Sequence, residues 1–333
     1  MPITVVGSIA YDTVKTPFGE RERMLGGAAV HFALAASFFD DVRVVGPVGE
    51  DFGEEQLAVM RRRGVDVSDV ERVPGGKTFF WRGEYGWDLN SRETLDTQLG
   101  VFEGFQPKLS ERSSSSDVLF LANIQPDLQQ EVRRQMSHAR FVALDSMNLW
   151  IDIARDSLVR AIETVDCVIL NDAELRQLTG KPNLVTAARE ILSWTPPGPR
   201  EPGQSRGPSV IVAKQGEYGA ALVTRKGFFA LPAYPLETVI DPTGAGDTFA
   251  GGLVGYIAAH RSQLGGDGDG SGQELSEDLL RRAMAHATVL ASFNVEEFGT
   301  ERMERLTGGE IVARIQELHA MTQFSGAALE LRG

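Results

Sequence analysis

The run Asp241-Pro242-Thr243-Gly244-Ala245-Gly246-Asp247 joins a turn of small residues to a carboxylate. Gly244, Ala245 and Gly246 let the backbone turn sharply and bring its N–H groups close to a ligand. Beyond them Phe249, Ala250, Leu253, Val254, Ile257 and Ala258 recur at helical spacing, so the turn opens a buried helix. The first N–H groups of a helix lack intrahelical partners and its dipole favours negative charge, which makes the turn an anion site. Asp247 separates it from an ordinary phosphate loop. A carboxylate there repels the anion unless it has a task, and the fitting task is to take a proton from a hydroxyl while a phosphoryl group transfers. Other phosphate motifs fail on spacing. No Gly-x-x-x-x-Gly-Lys-Ser/Thr string occurs, and Gly244-x-Gly246 meets Phe249 where a dinucleotide fingerprint has Gly or Ala. A Gly-rich helix entry capped by Asp is the plain alternative.

Four further constellations carry polar groups at the ends of apolar runs. Asp12 follows Ile3–Val6, where a carboxylate can accept two hydrogen bonds from neighbouring hydroxyls of a polyol. Gly26 and Gly27 open a helical pattern containing His31, and paired glycines there let a ligand lie against backbone N–H groups. Asn171-Asp172-Ala173-Glu174 follows Cys167–Leu170 and has the spacing of a capping box. Lys214-Gln215-Gly216-Glu217-Tyr218-Gly219 follows Val210–Ala213; a lysine beside glycines at a strand end can reach phosphate oxygens, and a simple turn is the alternative.

The elements that must position these residues alternate along the chain. Strand candidates are Ile3–Val6, Val42–Val45, Val118–Leu121, Phe141–Leu144, Cys167–Leu170, Val210–Ala213 and Ala221–Val223. Helical patterns cover Gly26–Phe39, Glu54–Arg63, Pro126–Arg134, Leu158–Glu163, Leu184–Leu192 and Leu279–Ser292. Such alternation predicts an α/β protein with a mainly parallel sheet covered on both faces. Gly75–Val101 breaks the pattern, because Phe79, Phe80, Trp81, Tyr85 and Trp87 are interleaved with charges and glycines. It reads as extended strands outside the main sheet, pairing with a hairpin in Tyr11–Leu25. Ser113–Ser116, Thr195–Pro208 and Gly265–Gln273 read as surface loops. The last places Asp267, Asp269, Ser271 and Gly272 as a calcium loop would, but Asp278 and Glu274 depart from that pattern, and a flexible acidic loop fits better.

Composition narrows the partners. With 33 basic and 46 acidic residues in 333, the net charge of −13 disfavours nucleic acid and anionic membranes. The single cysteine, Cys167, lies in an apolar run and reads as an inert buried thiol. The N-terminus reads as a first strand rather than a signal peptide, and no apolar run approaches the ~20 residues of a membrane span. The expectation is a cytoplasmic protein with 1–333 forming one domain.

Asp-Pro-Thr-Gly-Ala-Gly-Asp-Thr-Phe closely resembles the C-terminal signature of the ribokinase-like (PfkB) family of sugar and nucleoside kinases. The resemblance implies a three-layer α/β/α sandwich with a small β lid, its segments near 11–25 and 75–101, and ATP-dependent phosphoryl transfer with Asp247 as base. It implies that Gly244, Ala245 and Gly246 form the anion hole and that Asp12, Gly26 and Gly27 bind the acceptor. His31 stands where the family has an acceptor-binding Asn, an imidazole in place of an amide. Asn171 and Glu174 match the family's Asn-x-x-Glu motif, which organises Mg2+ around the nucleotide phosphates. Lys214, Gly216 and Gly219 fall in its ATP-lining loop. Phe298 and Gly299 lie where the family flanks adenine, and Asp241 and Thr243 where it can hold a monovalent cation such as K+. Asp145 and Asn148 lie near a further cleft-lining segment.

The resulting expectation is an ATP- and Mg2+-dependent kinase acting on a hydroxyl of a small sugar or polyol. A nucleoside acceptor is the alternative, since the aromatic lid could stack a base; the same aromatic stripe could instead pair two lids in a homodimer. A non-catalytic sugar- or nucleotide-binding regulator is the rival from another class, and the intact Asp247, Asn171 and Glu174 argue against it.

Overall fold

The computed structural model describes residues 2–194, 207–260 and 275–323. Among them, nine strands form one sheet. The first of these are β1 (Ile3–Val6), then, after two lid strands β2 (Ala10–Thr16) and β3 (Gly19–Gly26), β4 (Val42–Gly49) and β5 (Asp66–Val73). Two more lid strands follow, β6 (Phe79–Tyr85) and β7 (Arg92–Gln98). The main sheet resumes with β8 (Val118–Leu121), β9 (Phe141–Asp145), β10 (Cys167–Asn171) and β11 (Val210–Lys214), so that seven main-sheet strands run parallel. An antiparallel pair, β12 (Ala220–Thr224) and β13 (Phe228–Leu231), closes one edge, giving the order β13-β12-β11-β10-β9-β8-β1-β4-β5.

Period-two alternation sends neighbouring residues of each central strand to opposite faces, and both faces are buried. Val118, Phe120, Phe141, Ala143, Cys167 and Ile169 join one core, while Leu119, Leu121, Val142, Leu144, Val168 and Leu170 join the other. The first core is covered by α1 (Ala28–Ala36) and α2 (Glu54–Arg62). A four-residue turn of helix, α3 (Glu111–Ser114), precedes β8. The second core is covered by α4 (Pro126–Gln135), α5 (Asn148–Ile153), α6 (Arg155–Ile162), α7 (Asp172–Thr179) and α8 (Leu184–Ser193). The chain then returns to the first face with α9 (Ala245–Ala259), α10 (Glu277–Asn294), α11 (Glu301–Arg305) and α12 (Gly308–Thr322). The expected three-layer α/β/α architecture is therefore present.

Helix α9 is buried between α1 and α10, which is why it reads as apolar on every side. Its glycines permit that approach: a Cβ on Gly251 would lie 2.3 Å from the Phe32 carbonyl oxygen, and one on Gly252 2.8 Å from the Ala287 Cα. The anion turn thus sits on a helix wedged into the core.

The lid is a separate four-stranded sheet in the order β3-β2-β6-β7, with Asp12 opposite Trp81 in the register. The aromatic interval and the N-terminal hairpin do pair, as expected. Val14, Tyr85 and Phe298 form its small apolar cluster.

Two strands escaped the sequence reading. Edge strand β5 is half-exposed and polar, so it lacks the apolar runs of the central strands, and β13, though apolar, is only four residues long and largely exposed at the other edge. Ser113–Ser116, expected as a surface loop, is instead a helical turn with Ser113 and Ser116 buried. Thr4 explains this, since its hydroxyl bonds the Ser113 carbonyl (2.8 Å) and the Ser116 hydroxyl (2.9 Å) beneath β1. The loop expected at 265–273 lies outside the described residues. Of that at 195–208 only Gly207 and Pro208 are described, and both are buried. Among the described residues no helix is long and apolar enough to cross a membrane.

Candidate active site

Ligands of open parallel sheets bind beyond the carboxyl ends of the strands, at the point where the strand order reverses. Here that point lies beside β1, which has β4 on one side and β8 on the other. Three neighbouring strands end in polar residues there: β9 in Asp145, β10 in Asn171 and β11 in Lys214, with Asn171 and Lys214 in register. Lys214 Nζ lies 2.9 Å from an Asp145 carboxylate oxygen. A Cβ on Gly246 would lie 3.0 Å from the same Nζ, so the lysine sits directly against the anion turn.

Gly244 caps α9 with φ 74°, a left-handed conformation that glycine adopts without strain. Asp247 stands in the first helical turn, half-buried. Burial raises its pKa from the ordinary carboxylate value, Lys214 and Arg92 oppose that rise, and Glu174 adds to it. Burial likewise raises Asp145 to about 6 despite Lys214, and Glu174 to about 7. Burial alone would lower the pKa of Lys214, but Asp145, Glu174 and Asp247 outweigh it and raise it. One ammonium therefore serves three carboxylates, and the pocket carries surplus negative charge.

Asp12 is buried, with its carboxylate against the Cα of Gly26. A Cβ there would lie 1.9 Å from Asp12 Oδ2, so no side chain fits at Gly26. Burial, then Asp241, raises Asp12 to about 7, while the Gly27 N–H lowers it. The N–H groups expected to lie bare at this helix entry are occupied. Ala28 donates to the Ser8 hydroxyl (3.0 Å), Ala29 to the Ser8 carbonyl (3.1 Å) and Gly27 to Asp12.

His31 is buried behind the turn. A Cβ on Gly244 would lie 2.4 Å from three atoms of its ring, and its Nδ1 is 3.1 Å from Asn294 Oδ1. Its Nε2 has no hydrogen-bond partner among the described residues.

Asn171 and Glu174 form a reciprocal capping box: Glu174 N donates to Asn171 Oδ1 (2.7 Å), and Asn171 N donates to Glu174 Oε2 (2.8 Å). Among the described residues no three His, Cys, Asp or Glu side chains cluster as a metal cage. The donor set fits a Mg2+ that arrives with phosphates and keeps its waters, with Glu174 as the anionic contact and Asn171 holding it in place. The oxygens expected to hold a monovalent cation carry N–H donors. Thr243 N and Gly299 N each lie 2.9 Å from an Asp241 carboxylate oxygen, and Asn294 Nδ2 lies 2.8 Å from the Thr243 carbonyl.

The expected nucleotide loop is a tight turn after β11. Gly216 has φ 55° and Gly219 φ 98°. Gly219 is demanded by packing, since a Cβ there would lie 2.1 Å from the Leu231 carbonyl. Phe298, expected beside the nucleotide, packs into the lid cluster with Val14 and Tyr85, and Arg21 stacks on its ring. Gly299 serves Asp241. Asn148 opens α5 behind Asp145.

Three residues on this site were not singled out from sequence. Tyr85 bonds Thr243 through its hydroxyl (3.2 Å) and links the lid to the anion turn. Arg92, opposite Tyr85 in the lid register, hydrogen-bonds it and lowers the pKa of Asp12, Asp247 and Glu174 by its charge. Asn294 ends α10. Only the break in strand–helix alternation pointed toward the first two, and nothing in spacing marked the third.

A family model described as pfkB family carbohydrate kinase matches residues 3–305. The chain is 30% identical to a cytidine kinase of Thermococcus kodakarensis over 263 residues, covering 77% of this chain and 88% of that one. It is 24% identical to a fructokinase of Klebsiella pneumoniae, covering 78% and 85%. The structure of a Methanocaldococcus jannaschii nucleoside kinase superposes with a TM-score of 0.71 at 18% identity, covering 95% and 98%.

Proposed function

Because the chain belongs to the pfkB family of carbohydrate kinases, we propose that it transfers the γ-phosphoryl group of ATP to a hydroxyl of a small sugar, polyol or nucleoside. The observation that carries this is Asp247 on the first turn of a buried helix whose N-cap is the left-handed Gly244, with Lys214 against Gly246. The acceptor hydroxyl gives its proton to Asp247 as its oxygen bonds to the γ-phosphorus, and the bond to the β,γ-bridging oxygen breaks to release ADP. The raised pKa of Asp247 suits a group that must take a proton. N–H groups of Gly244 and Gly246 and the Lys214 ammonium meet charge spreading over the transferring oxygens, whereas the N–H of Ala245, also expected there, already bonds the Pro242 carbonyl (3.2 Å). Bound Mg2+ would neutralise the β- and γ-phosphates beside Glu174. No step is routed through a monovalent cation.

Asp12 orients the acceptor by accepting from its hydroxyls. The lid, tied to the turn through Tyr85 and Thr243, excludes water that would otherwise compete as acceptor. A nucleoside acceptor is favoured by one observation, the likeness to a cytidine kinase over most of the chain; a sugar is the simpler partner for Asp12, as in the fructokinase relative by name. Homodimerisation through the exposed lid residues Phe18, Trp87, Leu95 and Leu99, and a cytoplasmic location, complete the proposal.

The test is ADP release from Mg-ATP across sugars, polyols and nucleosides. Asp247→Asn should lower turnover by on the order of 10²–10⁴, the range of a general base, while ATP still binds. Undiminished turnover in that variant would remove Asp247 from the mechanism.

A further inference from the structure

The anion turn is held from behind by side chains that phosphoryl transfer does not itself consume. Asn294, fully buried at the end of α10, donates through Nδ2 to the Thr243 carbonyl (2.8 Å). Its Oδ1 faces two groups at once, the Thr248 hydroxyl (2.9 Å) and His31 Nδ1 (3.1 Å). The polarity of this network is forced from one end. A carbonyl can only accept, so the Asn294 nitrogen must face Thr243 and its oxygen must face the other two. Thr248 must then donate its hydroxyl proton, and His31 must carry a proton on Nδ1. Burial lowers the pKa of His31 although Asp241 faces it, so the ring is neutral and Nε2 bears the lone pair. The flat imidazole also fills the space that a Gly244 side chain would need.

We propose that His31, Thr248 and Asn294 form a positioning brace that fixes the Thr243 carbonyl and the Gly244 Cα, and so aims the Gly244–Asp247 turn at the transferring phosphoryl group. This rests on reading that turn as the anion site. It moves His31 from acceptor contact to support of the turn. The three residues come from three helices, α1, α9 and α10, and they meet beside the first turn of α9. The links to Thr248 and His31 are buried and that to Thr243 is partly buried, and hydrogen bonds in such surroundings favour a single arrangement of the network.

The experiment pairs kinetics with tautomer assignment. Asn294→Leu removes all three bonds at similar size. His31→Phe keeps a flat ring against Gly244 and removes one bond. Asn294→Leu should lower kcat by on the order of 10²-fold, the cost of about 1 Å of misplacement, with KM for Mg-ATP and acceptor changed less than about threefold. Adding His31→Phe to it should cost no more, because both act through one amide. Thr248→Ser should restore turnover lost in Thr248→Val. A fall in Tm with kcat unchanged would overturn the proposal, reducing the network to ordinary packing. Nitrogen-15 NMR of the histidine rings reads the same network without turnover: His31 protonated on Nδ1 supports it, and protonation on Nε2 overturns it. If the unaltered protein transfers phosphoryl to no acceptor, the kinase reading has failed, while the tautomer still decides whether the brace exists.

Discussion

Replacing Asp12 by Asn should stabilise the ligand-free protein near neutral pH while impairing acceptor binding. Burial and the neighbouring Asp241 and Asp247 raise Asp12 from 3.8 to about 7, so its ionised form is disfavoured in the folded state. A folded pKa above the unfolded one contributes stability that is complete below pH 3.8 and is lost as pH rises through 7. A shift of roughly three units at 1.36 kcal/mol each sets a ceiling of ~4 kcal/mol at pH 8. Relaxation of the surroundings around the ionised carboxylate lowers this, so ~2–4 kcal/mol is the working range, or ~3–6 °C in Tm for a chain of 333 residues. The amide keeps an oxygen for the Gly27 N–H, so geometry is preserved. The assay is thermal unfolding of both proteins without ligand from pH 4.5 to 8.5. The gap should be small at the acid end, widen through pH 7 and then level. A variant less stable at pH 8, or a gap independent of pH, would show that the Asp12 carboxylate is well solvated or fully paired, and the reasoning would fall. A carboxylate held at this cost is consistent with the acceptor-binding role proposed for Asp12.

Other perturbations test neighbouring parts of the site. Gly244→Ala forces a left-handed φ on a residue whose Cβ would lie 2.4 Å from the His31 ring, so it should cost at least ~1–2 kcal/mol in a urea titration and lower kcat with it. Lys214→Met strands the buried Asp145 and should destabilise by ~3–5 kcal/mol; adding Asp145→Asn should recover stability in the same titration but not turnover. Arg92→Gln removes the lid guanidinium that bonds Tyr85 and faces Asp12 and Asp247. It should lower kcat/KM roughly tenfold, the size of one charge-assisted hydrogen bond, with Tm unchanged.

Apolar patterning and local chemistry made the central sheet and the anion turn legible. The runs Val118–Leu121, Phe141–Leu144 and Cys167–Leu170 alternate between two cores, and a segment buried on both faces announces itself by composition. The turn and its carboxylate are contiguous, so their chemistry could be read from seven residues. Tertiary structure decided what depends on residues far apart in the chain. Edge strand β5 is set by the unpaired edge of β4 rather than by its own apolar content, and the short β13 by its antiparallel return onto β12. The serines at 113–116 look like a loop until Thr4, more than a hundred positions earlier, bonds them. Asp12 gains its raised pKa only when folding buries it and places Asp241 and Asp247 beside it, and Arg92 reaches the site only across the lid. His31 and Asn294, 263 residues apart, were unremarkable singly. Their meeting behind Gly244 is a matter of packing among three helices, and no local pattern encodes it.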